Sequence, residues 1–144
     1  MEFDQDKPLT FFRFEDLRIY HKALDYVTWV YSMNNKTTSD NLKQVFFERF
    51  IVSAQNIALN IAEGSSRNKS QFVYYLKMAK SAVRECVVLS SVGKNLSFLT
   101  NTAFDDSKNH LMEMTKMIGA LIGSLQRSVK PGEIIDDDED PDMI

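Results

Sequence analysis

Apolar positions recur every third or fourth residue along most of this chain, and no stretch alternates with a period of two. Helices are therefore expected throughout and a sheet is not. From Phe14 to Met33 two apolar rows run side by side: Leu17, Tyr20, Leu24, Val27, Tyr31, and Ile19, Ala23, Tyr26, Val30, Met33. At about 100° per residue they cover more than half of a helix circumference, leaving Arg18, His21, Lys22, Asp25 and Ser32 for the remainder. An arc that wide predicts cover on two sides, one from the chain's own core and one from another subunit. A second segment, Asp40 to Glu63, is the most apolar, with Phe47, Phe50, Ala54, Ile57 and Ile61 in a heptad-like stripe. A third, Ser70 to Leu99, carries Phe72, Leu76, Ala79, Val83, Cys86, Ser90 and Gly93; its inward face becomes small towards the end, which lets a neighbouring helix come close. The fourth, Ala103 to Ser128, repeats Phe104, Ser107, Leu111, Met114, Ile118, Leu121 and Leu125.

Three polar breaks separate these segments, and each supplies a residue suited to cap the next helix: Ser39 before Asp40, Asn68 three before Gln71, and Thr102 three before Asp105. Gly64 stands where a helix C-terminus favours a residue tolerant of positive φ. Four amphipathic helices joined by short polar loops predict an all-α, antiparallel up-down-up-down four-helix bundle over residues 14–129. Residues 130–144 read as an acidic tail too polar to bury a core, and residues 1–13 as an extension that either resembles that tail or docks Leu9, Phe11 and Phe12 on the bundle.

Composition narrows the class. In 144 residues, 44% hydrophobic and 26% charged, there is room for one domain with a core that needs no disulfide or metal. The single cysteine points to a reducing compartment. No early stretch joins a basic start to a long apolar run, so the expected setting is the cytoplasm, with no membrane span. The net charge of -3 conceals a division: residues 130–144 hold seven acids and one base, whereas residues 1–129 hold sixteen bases and thirteen acids.

Candidate chemistry is sparse. His110 with Glu113 gives H-x-x-E, the reverse of the E-x-x-H of di-iron bundles, and Arg18 rather than a carboxylate stands three before His21. Both histidines therefore read as surface residues, with neither metal nor cofactor expected. Cys86, on an inward stripe without a histidine on its helix, reads as a buried thiol. The pairs Glu15-Asp16 and Asp105-Asp106 are expected in first helical turns, where they complement the helix dipole. Asn60 and Glu63, near Arg49 and Asn56 on one helix face, read either as a network reaching a neighbouring helix through Arg67 or Arg84, or as a ligand site. From Arg67 to Lys94 there are six bases (Arg67, Lys69, Lys77, Lys80, Arg84, Lys94) and one acid, Glu85. Lys77, Lys80 and Arg84 follow helical spacing, so they form either a solvated face or a strip that neutralises phosphates. Nothing in the pattern reads as a catalytic site.

The run Phe14-Glu15-Asp16-Leu17 resembles the opening F-E-D-L of a known family, and Asn60-Ile61-Ala62-Glu63-Gly64-Ser65-Ser66-Arg67 resembles its N-I-A-E-G-x-x-R hallmark. Tyr75-Leu76-Lys77-Met78-Ala79 followed by Glu85 is similar to its third-helix pattern. This is the bacterial four-helix bundle family named for proteins encoded in intervening sequences of large-subunit ribosomal RNA genes; the accessory protein of diversity-generating retroelements belongs to it. The chain departs from it at Ile51 and Val52, where the family usually has arginines, and at Ala58 and Leu59, where Pro and Ser are common. The resemblance implies a homopentamer without catalysis that binds nucleic acid or a protein partner. It gives Asn60, Glu63, Gly64, Arg67 and Glu85 the standing of motif residues with structural roles. Two functions follow as expectations: RNA or DNA binding through Lys77, Lys80, Arg84, Arg67 and Lys69, or a protein-interaction scaffold that binds no nucleic acid.

Overall fold

The computed structural model describes residues 11–34 and 40–128. It is a four-helix bundle with no β-strand among the described residues. A 3-10 turn, Arg13–Asp16, leads into α1 (Arg18–Met33), followed by α2 (Asn41–Ser65), α3 (Lys69–Asn95) and α4 (Asn101–Arg127). The helices pack in ring order: α2 against α3 most extensively, then α3 against α4, α1 against α2, and α1 against α4. Phe46 near the start of α2 lies by Gly93 near the end of α3, and Gly64 near the end of α2 lies by Tyr75 near the start of α3, so these two helices run oppositely.

The inward stripes are those the spacing predicts, except that Phe104 stays half-buried outside the core, beside Lys94 and Lys108. Phe47, Phe50, Ala54, Ile57 and Ile61 are wholly buried, as are Leu76, Ala79, Cys86 and Ile118. At α1 the bundle buries one of the two apolar rows fully and the other in part, taking Leu17 and packing against Tyr20 and Val27. Ile19, Ala23, Tyr26 and Val30 are buried, whereas Leu24 and Tyr31 stay 39% and 46% exposed. Of the second row, Leu24 and Tyr31 thus remain outside the core.

Several boundaries differ from the sequence expectation, each for a local reason. Asn68 caps α3 as expected, accepting from the Gln71 N–H at 2.9 Å. The cap of α2 is Asp40, which accepts from the Leu42 and Lys43 N–H groups; Ser39 lies outside the described residues. The cap of α4 is Thr100 rather than Thr102, accepting from the Ala103 N–H at 3.0 Å. Because α4 then begins at Asn101, Asp105 and Asp106 fall beyond its first turn. Glu15 and Asp16 sit in the 3-10 turn, not in the first turn of α1. Helix α3 stops at Asn95, short of Leu99, because Ser97 adopts φ 61°. The Phe98 N–H then returns to the Gly93 carbonyl and the Ser97 N–H to that of Lys94, a Schellman closure made without glycine. Leu99 drops into the core behind it.

Gly64 has a different role from the one expected. It lies within α2, and a Cβ there would stand 2.6 Å from the Tyr75 Cβ, so its bareness lets α2 and α3 touch. Of the two readings of the N-terminal extension, docking fails for Phe11, which is 93% exposed, and Phe12 is 56% exposed; Leu9 and the acidic tail lie outside the described residues.

Candidate nucleic-acid interface

One buried polar chain crosses the core. The Ser90 hydroxyl donates to the Cys86 carbonyl at 2.7 Å, which commits its only proton. Ser107 must then donate to Ser90 (2.6 Å), and Tyr26 to Ser107 (2.8 Å). The relay ties α1, α4 and α3 and leaves none of its hydroxyls unsatisfied. Burial pushes the Cys86 thiol up to about 12, with Glu85 adding to the effect, and burial likewise raises the Tyr26 phenol. Cys86 is therefore a neutral core group.

The two histidines are occupied by their surroundings. His110 is half-buried against the Trp29 and Tyr26 rings, at centroid distances of 5.9 and 5.7 Å, and His21 Nε2 lies 2.6 Å from the Glu15 carbonyl. Glu113 pairs with Lys22 of α1. Among the described residues no three His, Cys, Asp or Glu side chains are grouped to hold a metal ion, and no helix is long and apolar enough to cross a membrane.

The motif residues divide. Asn60 donates to the Asn56 carbonyl of its own helix at 2.8 Å. Glu63 pairs with Arg67 one turn on, and the Arg67 guanidinium lies 5.4 Å from the Tyr75 ring centroid. That cluster closes the α2–α3 corner and draws Arg67 away from the other cations. A second side-chain link between α2 and α3 runs through Arg49, which donates to Glu85 at 2.7 Å and to Ser53; Ser53 also donates to Glu85. Arg49 as the partner of Glu85 was missing from the sequence expectation, since the link depends on which face of α3 meets α2.

The remaining bases of α3 lie along its α4 side. Lys69 at one end reaches the Ser128 carbonyl at 3.1 Å, and Lys94 at the other lies 4.5 Å from the ring centroid of Phe104 on α4. Lys80 sits about three turns after Lys69 and about four before Lys94, so it shares their side, with Lys77 and Arg84 about one turn to either side of it. Arg84 is exposed, and Lys77 and Lys80 are half-buried. Lys108 of α4 also approaches Phe104, at 5.8 Å. Glu85, the lone acid of α3, points to Arg49 on the α2 side. Of the acids on α4, Asp106 and Glu113 border a shallow cavity of about 280 Å³ with Trp29 and His110, towards α1. The third acid of α4, Asp105, is exposed next to Phe104, so the seam carries the cations of α3 and Lys108 with Asp105 beside them, a net positive charge.

The α1–α2 edge has the opposite character. Phe14, Tyr20, Leu24, Val27, Ala58, Leu59 and Ala62, with Gln55, line a groove of about 480 Å³, where Leu59 is 62% exposed. Gln55 donates to the Tyr31 hydroxyl along the same edge.

The family described as 23S rRNA-intervening sequence protein matches residues 15–120, well over half of the chain, and the chain belongs to it. No curated protein matches the sequence.

Proposed function

We propose that this member of the 23S rRNA-intervening sequence protein family is a non-catalytic oligomer that holds RNA or DNA by its phosphates along the α3–α4 seam, in the bacterial cytoplasm. The observation that carries this reading is the sorting of charge. Lys69, Lys77, Lys80, Arg84 and Lys94 share one side of a rigid helix, and the only acid on that helix is turned to Arg49 on another. Regularly spaced cations on such a scaffold displace counterions from a phosphate backbone without reading bases. A non-catalytic role is supported by the neutral, buried Cys86 thiol and by the packing of His110 against the Tyr26 and Trp29 rings.

Assembly is supported by the uncovered part of the second row of α1. Leu24 and Tyr31, with Leu59 of α2, form an apolar edge that a second copy would cover, and the family resemblance favours five copies. A closed ring would set several seams side by side, so that one strand engages more than one of them. A scaffold for a protein partner is the competing reading, and the same apolar groove favours it.

Fluorescence anisotropy with single-stranded RNA between low and high salt separates the two. Phosphate contacts give an affinity that falls steeply with salt, by about 0.7 log units per log unit for each contact. Absence of RNA and DNA binding at low salt would leave the scaffold reading.

A further inference from the structure

The cations of α3 and the acids that follow α4 meet at one point of the fold. Ser128 is the last described residue, and its carbonyl accepts from Lys69, the first residue of α3. The chain beyond Ser128 therefore starts beside one end of the cationic row. From Lys69 to Arg84 the row runs about 22 Å at 1.5 Å per residue. The chain from Ser128 to Asp136 reaches about 26 Å when extended, and the stretch to Asp142 reaches further. Glu133, Asp136, Asp137, Asp138, Glu139, Asp140 and Asp142 bring seven negative charges against one base, Lys130. The apolar α1–α2 groove offers such a segment only a desolvation cost. The seam offers it charge of the opposite sign within reach.

We infer that residues 133–142 of this chain lie along Lys77, Lys80 and Arg84 and compete there with a polyanion for the same cations. The contact itself follows from charge and reach; the competition rests on the proposed nucleic-acid reading. A short tether holds the acids at an effective concentration of roughly millimolar, so a weak contact is enough to occupy the row. Occupancy of about nine parts in ten weakens polyanion binding about tenfold.

The test uses the full-length chain. Met143→Cys is coupled to a nitroxide; Cys86, fully buried, stays unlabelled. Amide signals of residues 77–84 should broaden at low salt, where screening is weak, and recover at about 1 M, where the Debye length is about 3 Å. The broadening should also disappear in the Lys77→Ala, Lys80→Ala, Arg84→Ala variant. No broadening, or broadening that is not centred on α3, overturns the inference. A second full-length variant carries Asp136→Asn, Asp137→Asn, Asp138→Asn, Glu139→Gln and Asp140→Asn. It should bind a single-stranded RNA probe about tenfold more tightly than wild type at low salt. Broadening at α3 with no RNA bound by either protein upholds the tail contact and removes the nucleic-acid reading. Equal RNA binding without broadening does the reverse.

Discussion

The α1–α2 groove and the α3–α4 seam lie on opposite edges of the same bundle and are made of opposite materials. Each of the four helices gives one stripe to the common core. The edges differ in what the second stripe holds: Leu24, Tyr31 and Leu59 on one, Lys77, Lys80 and Arg84 on the other. An apolar edge gains free energy from area removed from water and is little affected by salt. A cationic edge gains it from released counterions and loses it as salt rises. One fold can thus carry assembly and ligand binding on separate edges, and salt tells them apart.

The largest effect is expected at the groove. Leu24→Glu together with Leu59→Glu places two carboxylates where a second copy would seat, so light scattering should report a single chain of 16.6 kDa. Both side chains are exposed in the single chain, so its stability should move by no more than about 0.5 kcal/mol each. An unchanged oligomer mass would put the subunit contact elsewhere.

Gly64→Ala acts between the edges, where α2 meets α3. The added Cβ would press on a Cβ rather than on the end of a flexible side chain, so urea unfolding should show a loss of about 1–3 kcal/mol. No loss would mean that the two helices separate at negligible cost.

Alkali should weaken the core that both edges share. The Cys86 thiol is raised from its ordinary 9.0 to about 12, so above pH 9 the unfolded chain loses this proton before the folded chain does. The stability contributed by the neutral thiol is whole below pH 9 and falls as pH climbs towards 12. Tyr26, raised in the same direction, adds to the fall. Denaturant titrations at pH 8 and 11 should show it; a flat profile would contradict the burial of both groups.

The smallest change is expected from Glu85→Gln. The Arg49–Glu85 pair is about half exposed on both sides, so its loss should cost no more than about 1 kcal/mol. Because Glu85 is turned to α2, RNA affinity should change by less than about threefold, under 1 kcal/mol. A large gain would mean that Glu85 offsets the seam cations directly.

The core was legible in the sequence because helical spacing alone chooses an inward stripe, and Phe47 to Ile61 show it well. Spacing cannot choose between two rows of equal merit. On α1 it predicts both, and only the packing of α2 and α4 decides that Tyr26 goes in and Leu24 stays out. Gly64 reads as a helix end until Tyr75 is placed against it. Ser107 reads as a gap in an apolar stripe, and its part in the Tyr26–Ser90 relay requires three helices in position. The strip of α3 was legible as spacing, but the turning of Glu85 to Arg49, and the capture of Arg67 by Glu63 and Tyr75, depend on the neighbouring helix.

The central claim is tested most directly by the salt dependence of RNA binding in wild type and in the Lys77→Ala, Lys80→Ala, Arg84→Ala variant. Both should keep the same helicity and oligomer mass. The wild-type log–log slope should be steep, and the variant's shallower by about two units, from about 0.7 for each lost phosphate contact on a single strand. Equal slopes in the two proteins, or no binding by either at low salt, would contradict a phosphate-binding seam between α3 and α4.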